Sequence, residues 1–471
     1  MASEHESSSL LELMTGRNGL RSLALAGGVA LHAINVYVVT TVMPSIVKDI
    51  GGLEVYAWST TLFVIASILG SALSSRLIGR LGPRKAYLSA LVVFCLGTVV
   101  CAIAPAMAVL LAGRTLQGLA GGLLLALSYA LIRLVYESRL WARALAFVSA
   151  MWGVATLSGP AIGGMFAQSG HWRLAFWALL PVAALLAVIV SSLVPAQDAR
   201  GPTKVTVAWG RLGLLAGSVL AFSVGSLFED NAARIACVAL GVVMGGMIAW
   251  LDGRSAVRLL PTGAYSVRTV LGACYATMAL LMLGVTTEIF APYFLQVIHD
   301  RSPLEAGYLT AVMAGGWTVA ALLFSGRTGP SAVRLVGLGP IVMTAALLAL
   351  AVLLPQPTWV DTLAGFVVLC IALGGVGFGV GLCWPHLVTR VFRSARPEEA
   401  NLASSAVTTV QLYAMAIGAA LAGWVANAAG LTTPGGVDGA KHAAIALFAL
   451  FAVFPALGIM TARAAMRPRQ G

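Results

Sequence analysis

The feature that most limits the possible folds of this chain is a series of long apolar segments. A helix needs about 20 apolar residues to cross the hydrocarbon core of a bilayer, and the 471 residues contain fourteen segments that approach this length. Lipid offers no partner for backbone amides, so such segments must be helices that satisfy their own hydrogen bonds. The predicted spans are 22–43, 57–78, 86–104, 107–133, 143–167, 174–194, 211–228, 232–251, 268–298, 303–325, 335–354, 361–389, 400–428 and 442–464.

The composition excludes a soluble globular protein. Hydrophobic residues make up 59% of the chain and charged residues only 10%, whereas about 25% of residues are charged in soluble domains. All six cysteines fall inside apolar segments and lack metal-ligand spacing, so we interpret them as small buried hydrophobic residues. The sequence therefore predicts an all-α integral membrane protein without a metal site or cofactor.

Basic side chains concentrate in alternate loops of the predicted topology. Arg80 and Arg84 lie between the second and third spans, and most of the 29 Lys and Arg residues fall in loops on that same side. Because cytoplasmic loops are enriched in positive residues, we expect a multi-pass inner-membrane protein with both termini in the cytoplasm. The net charge of +12 then reflects topology, and we expect no nucleic-acid partner.

A short internal repeat divides the chain into similar halves. The pattern G-R-x-G-P occurs at 79–83 and again at 326–330, each time after the second span of a six-span block. Two parallel repeats are typical of alternating-access transporters, although this pattern is also a common cytoplasmic turn. The predicted organisation is a cytoplasmic segment 1–21, a six-helix bundle 22–194, a linker with two extra helices 195–267, a second six-helix bundle 268–464 and a cytoplasmic tail 465–471.

One span combines an apolar sequence with several helix-disturbing residues. In the stretch 151–168 a proline should bend the helix, and glycines four residues apart share one face that another helix can approach closely. This predicts a bent helix with a flat side on which a neighbour moves, although ordinary helix packing also uses such pairs. The residues are Gly153, Gly159, Pro160, Gly163 and Gly164.

Several motifs together resemble the major facilitator superfamily, and within it the fourteen-helix branch of the drug:proton antiporters. The stretch 151–168 is similar to the antiporter signature G-x(5)-G-P-x-x-G-G. The loop 75–85 is similar to the family's motif between helices 2 and 3, with Arg80, Gly82 and Arg84 at matching positions. Gly79 stands where the family usually has an aspartate. The resemblance implies two six-helix bundles plus two inserted helices, and the missing aspartate removes one conformational lock of the family.

Ionisable groups within the spans are candidates for proton coupling, because charge is costly in a bilayer. Arg114 and Gln117 resemble the family's R-x-x-Q-G-x-G motif, and the resemblance implies that this arginine is tied to proton coupling. Glu288 is the one acid well inside a predicted span, and His32 can titrate near neutral pH. Alternatively, Arg114 snorkels to the interface, Glu288 faces water, and His32 is structural.

Polar and aromatic residues within the spans are the candidates for a solute cavity. Such a cavity would be mostly apolar with a few polar groups that fix the solute, although each aromatic side chain also suits the membrane interface. Asn35 stands near the position where the family branch has an aspartate, and it cannot titrate. The candidates are Asn35, Tyr37, Gln117, Trp152, Tyr293, Gln296, Trp317, Trp384, His386, Gln411 and Tyr413.

The preferred interpretation is a secondary transporter that exports amphipathic drug-like compounds by alternating access in exchange for protons. Its expected partners are a small-molecule substrate, protons and the lipid bilayer, and we expect a monomer. An alternative is a dedicated carrier, without obligatory proton coupling, for one metabolite, siderophore or metal complex. A membrane-embedded enzyme is a remote alternative, because no loop offers a catalytic constellation or holds a folded domain.

Overall fold

Helices make up all the regular structure in the residues that the computed structural model describes, which are 16–135, 141–194, 208–228, 230–255 and 258–467. This confirms the prediction of an all-α chain. Most of the predicted N-terminal segment, the linker stretch 195–207 and the last residues of the predicted tail lie outside the described residues.

The helices of the first half follow the predicted spans closely. The second and third predicted spans follow each other directly in one long element, which is kinked at Gly82, where the backbone is not helical. The helices are α1 Gly16–Ile50, α2 Trp58–Ala102, α3 Met107–Val135, α4 Trp141–Gln168, α5 Trp172–Trp177 and α6 Leu179–Leu193, with a 3-10 turn at Leu53–Val55.

The helices of the second half include the two that were predicted as an insertion. The ninth predicted span is broken by a 3-10 turn at Thr286–Ile289, and another 3-10 turn, Pro397–Glu399, precedes α15. The helices are α7 Trp209–Gly225, α8 Asn231–Gly253, α9 Val270–Val285, α10 Ala291–His299, α11 Pro303–Phe324, α12 Gly329–Leu353, α13 Pro357–Val360, α14 Leu363–Ser394, α15 Ala400–Ala428, α16 Gly436–Phe451 and α17 Val453–Ala465.

Among the described residues, 11 segments are long and apolar enough to cross a membrane. One of them, Leu53–Ala102, spans 50 residues and contains two predicted spans on either side of Gly82. The helix Trp141–Gln168 and the shorter apolar helix Trp209–Gly225 correspond to the remaining predicted spans. The chain is therefore a multi-pass membrane protein, and the count of fourteen crossings stays a prediction.

The chain divides into two compact units. Unit 1 comprises the described residues of Met1–Val42 and Ala66–Val207, and unit 2 comprises those of Met43–Ile65 and Ala208–Gly471. The division cuts through α1 and α2, so the predicted bundle limits of 22–194 and 268–464 remain predictions.

Unit 1 is built on close contacts between α1, α2 and α3. Tyr87 is fully buried, and its hydroxyl donates a hydrogen bond of 2.9 Å to the carbonyl of Ala24. Ser67 of α2 donates to the carbonyl of Gly118 at 3.0 Å. Because Gly118 is followed by further small residues, the two helix backbones approach closely, which is how apolar helices pack in lipid.

Unit 2 also has helices that approach closely at small residues, namely α11, α12 and α14. A Cβ atom on Gly377 or Gly381 of α14 would collide with backbone of α11, and one on Gly379 would lie 2.8 Å from the Cβ of Met343 in α12. Glycine at these positions lets α14 pack tightly between two neighbours.

The two copies of the G-R-x-G-P repeat share an unusual backbone conformation. The second glycine of each copy has a positive φ angle, 74° at Gly82 and 61° at Gly329. Side chains rarely adopt this conformation, whereas glycine does so readily. Each glycine is followed by a proline, Pro83 and Pro330, which suits the first turn of the next helix. The structure therefore supports the interpretation that the repeat marks equivalent turns.

The inserted helices α7 and α8 belong to unit 2 and attach to α15. The hydroxyls of Ser218 on α7 and Tyr413 on α15 lie 2.9 Å apart in a hydrogen bond. A Cβ atom on Gly245 of α8 would lie 3.4 Å from the same tyrosine oxygen. Tyr413 is thus a contact point for both inserted helices.

A second attachment, which we call the linker clamp, consists of Asp252, Glu399 and the linker backbone that they bind. Asp252 is fully buried and pairs with Arg211 of α7. Its carboxylate also accepts hydrogen bonds from the amides of Leu259 and Leu260, at 2.6 and 3.0 Å, and from the hydroxyl of Tyr265 at 3.1 Å. Burial raises the pKa of Tyr265, and the negative charge of Asp252 raises it further.

Glu399 forms the other half of the linker clamp. It accepts hydrogen bonds from the hydroxyl of Thr262 at 2.6 Å and from the Thr262 amide at 3.1 Å. The side-chain hydrogen bond from Thr262 lowers the pKa of Glu399, and the nearby Arg396 and Arg258 lower it further. The carboxylate therefore holds the linker between α8 and α9 against the start of α15.

Candidate functional site

A buried polar chain connects α3 to α2 within unit 1. Arg114 is only 2% exposed, and its Nη1 donates a hydrogen bond of 2.8 Å to Oε1 of Gln117. The amide nitrogen of Gln117 in turn donates to the hydroxyl of Thr98 at 2.9 Å, and Thr98 donates to the carbonyl of Phe94 at 2.7 Å. The spacing of three residues places Arg114 and Gln117 on one helix face, so these two predicted site residues are brought together.

Glycine allows this polar chain to form. A Cβ atom on Gly97 would lie 2.8 Å from the backbone nitrogen of Gln117, and one on Gly113 would lie 2.6 Å from the sulfur of Cys101. The Cys101 thiol also lies 3.7 Å from Oε1 of Gln117 as a weak donor. The close approach of the two helices excludes bulky groups, which leaves Gln117 within reach of both Arg114 and Thr98.

His32 and Asn35 bring two more polar groups into the interior of unit 1. His32 is buried, contacts the ring of Trp152 edge-on at 5.9 Å between centroids, and lies against Gly121 of α3. Asn35 is 0% exposed, and neither its amide nitrogen nor its amide oxygen has a hydrogen-bond partner among the described residues. A buried amide without a partner costs about 1–3 kcal/mol, so its retention favours a functional role.

The glycine-rich stretch of α4 packs on α1. Side chains at Gly159 would collide with Tyr37, and a Cβ atom at Gly163 would lie 2.9 Å from the carbonyl oxygen of Val38. Gly164 and Pro160 are also buried. A Cβ atom at Gly153 would meet no described atom within 4 Å. The predicted flat face is therefore formed by Gly159 and Gly163, and its neighbour is α1.

The loop motif at the break in α2 differs from the buried polar groups described above, because its residues are partly exposed. Arg80 is exposed, Arg84 is half-buried and Gly82 is buried. The positive φ of Gly82 explains why a glycine occupies this motif position. The charged residues of the motif therefore flank a turn that only the glycine makes possible.

Glu288 lies in the 3-10 turn Thr286–Ile289 of unit 2, between α9 and α10. Its side chain is half-buried, and it has no hydrogen bond or ion pair with a residue that the structure describes. The neighbouring Thr286 lies against Gly418 of α15. The carboxyl group thus lies in a backbone turn within a predicted span, and no cation of the described part of the chain pairs with it.

An aromatic cluster follows Glu288 along the chain. The rings of Phe290 and Tyr56 are stacked at 4.9 Å between centroids, and Tyr293 meets Tyr56 edge-on at 5.7 Å. Both Tyr56 and Tyr293 are buried, and the Tyr56 hydroxyl has no hydrogen-bond partner among the described residues. Gln296, one turn further, is half-buried with its amide nitrogen likewise unpaired.

The remaining cavity candidates of unit 2 separate into distinct places. Trp317 of α11 and Trp384 of α14 contact each other at 5.4 Å between ring centroids, and His386 is buried with Nε2 unpaired among the described residues. Gln411 is half-buried on α15. The hydroxyl of Tyr413 is bound to Ser218 of an inserted helix, and its place in a solute cavity stays a prediction.

Sequence reasoning missed three residues that the structure makes prominent. Thr98 completes the Arg114 chain, Tyr56 joins the aromatic cluster, and Asp252 centres the linker clamp. An acid at the C-terminal end of an apolar helix, as at Asp252, is a sequence signal for such a contact. Thr98 and Tyr56 carry no such signal, because a single threonine or tyrosine in a span is common.

A sequence model of the Major Facilitator Superfamily matches residues 25–419 of the chain. The chain belongs to this superfamily. A probable multidrug-efflux transporter of Mycobacterium tuberculosis (strain ATCC 25618 / H37Rv) is 38% identical over 468 residues, which cover 97% of this chain and 96% of the relative. The multidrug transporter protein MdtP of Bacillus subtilis (strain 168) is 26% identical over 425 residues, covering 88% and 76% of the two chains.

Solved structures support the major facilitator fold. A peptide transporter POT crystallised with alafosfalin matches with a TM-score of 0.68 at 15% sequence identity, and the match covers 99% of this chain and 100% of that chain. The human organic anion transporter MFSD10 matches with a TM-score of 0.58 at 15% identity, covering 94% and 99%. These likenesses show the major facilitator fold, in agreement with the family model that matches residues 25–419.

Proposed function

We propose that this major facilitator protein exports amphipathic, drug-like compounds across the inner membrane. The observation that carries the proposal is the fully buried polar chain from Arg114 through Gln117 to Thr98, because buried charge in a membrane helix marks a solute or ion pathway. The extended similarity to a probable multidrug-efflux transporter supports the assignment of drug-like solutes.

We further propose that protons drive the export through Glu288. A carboxyl group inside a membrane-spanning segment that has no protein cation beside it can bind and release a proton as water reaches it. Arg114 stays protonated and supplies a buried positive charge in unit 1, and His32 is a buried titratable group of the same unit. Proton release and solute binding would then alternate during each transport cycle.

The helix contacts of unit 1 support alternating access as the mechanism. Gly159 and Gly163 present backbone to α1, so α4 and α1 can shift against each other without side chains that interlock. Gly82 provides the sharp turn between the two halves of α2. In this proposal the motif glycines permit movement, while the flanking Arg80 and Arg84 remain outside the apolar packing.

A dedicated carrier for one polar solute remains the second candidate. Asn35, Gln296 and His386 each have a side-chain polar atom without a hydrogen-bond partner among the described residues. This favours the second candidate, because unpaired hydrogen-bonding groups reject solutes that lack the matching atoms. A drug exporter requires fewer such groups and larger apolar surfaces.

Transport into proteoliposomes tests the two candidates. Purified protein would be reconstituted and offered a panel of cationic, neutral and anionic amphipathic compounds, each with and without a pH gradient. Drug export predicts accumulation of several unrelated compounds that stops when the gradient is collapsed. Accumulation of a single compound favours the dedicated carrier, and accumulation that ignores the gradient contradicts proton coupling.

A further inference from the structure

A groove of about 390 Å³ opens on unit 2 where α11 begins. One wall is formed by α11 and the residues just before it, from Arg301 to Val312, and the other includes Phe366 of α14. It does not involve Arg114, Glu288 or the linker clamp. The groove therefore requires an explanation of its own.

The mouth of the groove carries charges of both signs. Nη2 of Arg301 donates a hydrogen bond of 2.9 Å to Oδ1 of Asp361, and the guanidinium carbon lies 5.8 Å from the ring centroid of Phe366. Glu305 is exposed, and its Oε2 accepts a hydrogen bond of 3.0 Å from the amide of Ser302. Arg301 thus pairs with one carboxylate while a second one, that of Glu305, lines the same groove, and the Arg301 side chain keeps donors that Asp361 does not use.

The body of the groove is apolar and follows one face of α11. Leu304, Tyr308 and Val312 are each four residues apart, so they form a stripe about 12 Å long at 1.5 Å per residue. Tyr308 is 40% exposed, and a tyrosine one turn inside a span is typical of the boundary between lipid tails and head groups. The groove therefore runs from the aqueous surface into the depth of the lipid tails.

We propose that this groove binds one phospholipid whose head group carries an amine, such as phosphatidylethanolamine. The phosphate would accept hydrogen bonds from Arg301, and the ammonium would donate to Glu305 and Asp361. One acyl chain would lie along Leu304, Tyr308 and Val312. This site goes beyond the proposed export activity and does not depend on it.

The charges at the mouth favour this head group over the other common ones. Together Arg301, Glu305 and Asp361 carry a net charge of minus one, which opposes an anionic lipid such as phosphatidylglycerol. A choline head group has no N–H to donate to the carboxylates. An ethanolamine head group supplies both an acceptor for the arginine and a donor for the acids.

Native mass spectrometry of the detergent-purified protein tests the proposal with three lipids of identical acyl chains. We expect phosphatidylethanolamine to bind at least about fivefold more tightly than phosphatidylcholine or phosphatidylglycerol, an effect of the size that exposed ion pairs provide. In the substitution Glu305→Gln the side chain still accepts the hydrogen bond from the Ser302 amide, since glutamine also serves in a capping box, but one negative charge is removed. It should reduce the preference for ethanolamine without lowering the melting temperature in lipid-free detergent.

A second variant tests the apolar part of the groove. Val312→Trp fills the groove and should remove one tightly bound lipid, whereas Asp300→Asn, which changes an exposed acid next to Arg301, should bind lipid as the wild type does. If Val312→Trp does not fold, the head-group preference of Glu305→Gln decides alone. Equal binding of all three lipids, an unchanged preference in Glu305→Gln, or occupation by the cationic amphiphile dodecyltrimethylammonium in place of the phospholipid overturns the proposal.

Discussion

Nη1 of Arg114 donates a hydrogen bond of 2.8 Å to Oε1 of Gln117, three residues later on the same helix. The amide nitrogen of Gln117 then donates to Thr98 on α2, so a single glutamine orients the arginine and ties two helices together. This geometry gives a physical reason for the R-x-x-Q spacing. A spacing of one or two residues would place the two side chains on different faces of α3.

Replacing Gln117 by leucine should disable transport. The change leaves Arg114 and Thr98 without their shared partner inside the membrane, and an unsatisfied buried polar group costs about 1–3 kcal/mol. We expect at least about a tenfold loss of transport rate, the loss that about 1.4 kcal/mol produces, and a lower melting temperature. The matched control is Thr115→Val, which alters an exposed threonine on the same helix and should leave transport unchanged. Equal activity of both variants contradicts the role of the buried chain.

Adding one methyl group to the flat face of α4 should destabilise unit 1. Gly159→Ala places a Cβ atom against Tyr37, and overpacking of this kind costs about 1–3 kcal/mol. Gly153→Ala lies on the same helix in open space, so it should be neutral or slightly stabilising. Thermal unfolding of the two purified variants checks this, and equal melting temperatures would contradict the contact between Gly159 and α1.

Removing the charge of Asp252 should release the linker between α8 and α9. Asp252→Asn leaves Arg211 without its carboxylate and weakens the bonds to the linker amides, and breaking a buried pair costs about 3–5 kcal/mol. Hydrogen exchange of the stretch 258–267 should increase strongly. Asp230→Asn is the control, because Asp230 caps the start of α8 and asparagine caps a helix equally well. Similar exchange in the two variants would show that the clamp does not hold the linker.

The Glu399 half of the linker clamp should weaken in acid. Its pKa in the folded protein lies below the ordinary value of 4.5, chiefly because Thr262 donates to the carboxylate. The contribution to stability is therefore complete above that ordinary value and is lost as the pH falls through the lower folded value. Glu399→Gln should lower the melting temperature at neutral pH and have little effect in strong acid. Glu398→Gln, at the neighbouring exposed acid, should leave the melting temperature unchanged at both pH values. An effect of Glu399→Gln that does not depend on pH would contradict the role of the Glu399 carboxylate in the clamp.

The architecture could be predicted from the sequence because a bilayer requires each span to be a long apolar helix. Apolar length predicted the helices, and the repeated G-R-x-G-P pattern predicted turns that prove to share a positive φ at Gly82 and Gly329. The pairing of Arg114 with Gln117 followed from helical spacing alone. These features depend on local geometry, which the order of residues determines directly.

Contacts between distant parts of the chain were not predictable in the same way. The bond of Tyr413 to Ser218, 195 residues away, was not predicted, because helices that are apolar on all sides give no signal of which face meets which neighbour. Asp252 binds backbone amides of a polar linker, and backbone partners leave no trace in sequence. Asn35 is a candidate from the sequence, but only the structure shows that its amide has no hydrogen-bond partner in the described part of the chain.

The most direct test of the account is drug-driven proton movement in proteoliposomes that contain a pH-sensitive dye. The wild type should move protons opposite to an added amphipathic substrate, and Glu288→Gln should abolish this movement while it still binds the compound. Glu54→Gln, a change in another 3-10 turn of unit 2 with an exposed side chain, should retain full exchange. Drug transport by the wild type without proton movement, or normal exchange by Glu288→Gln, would contradict the central claim.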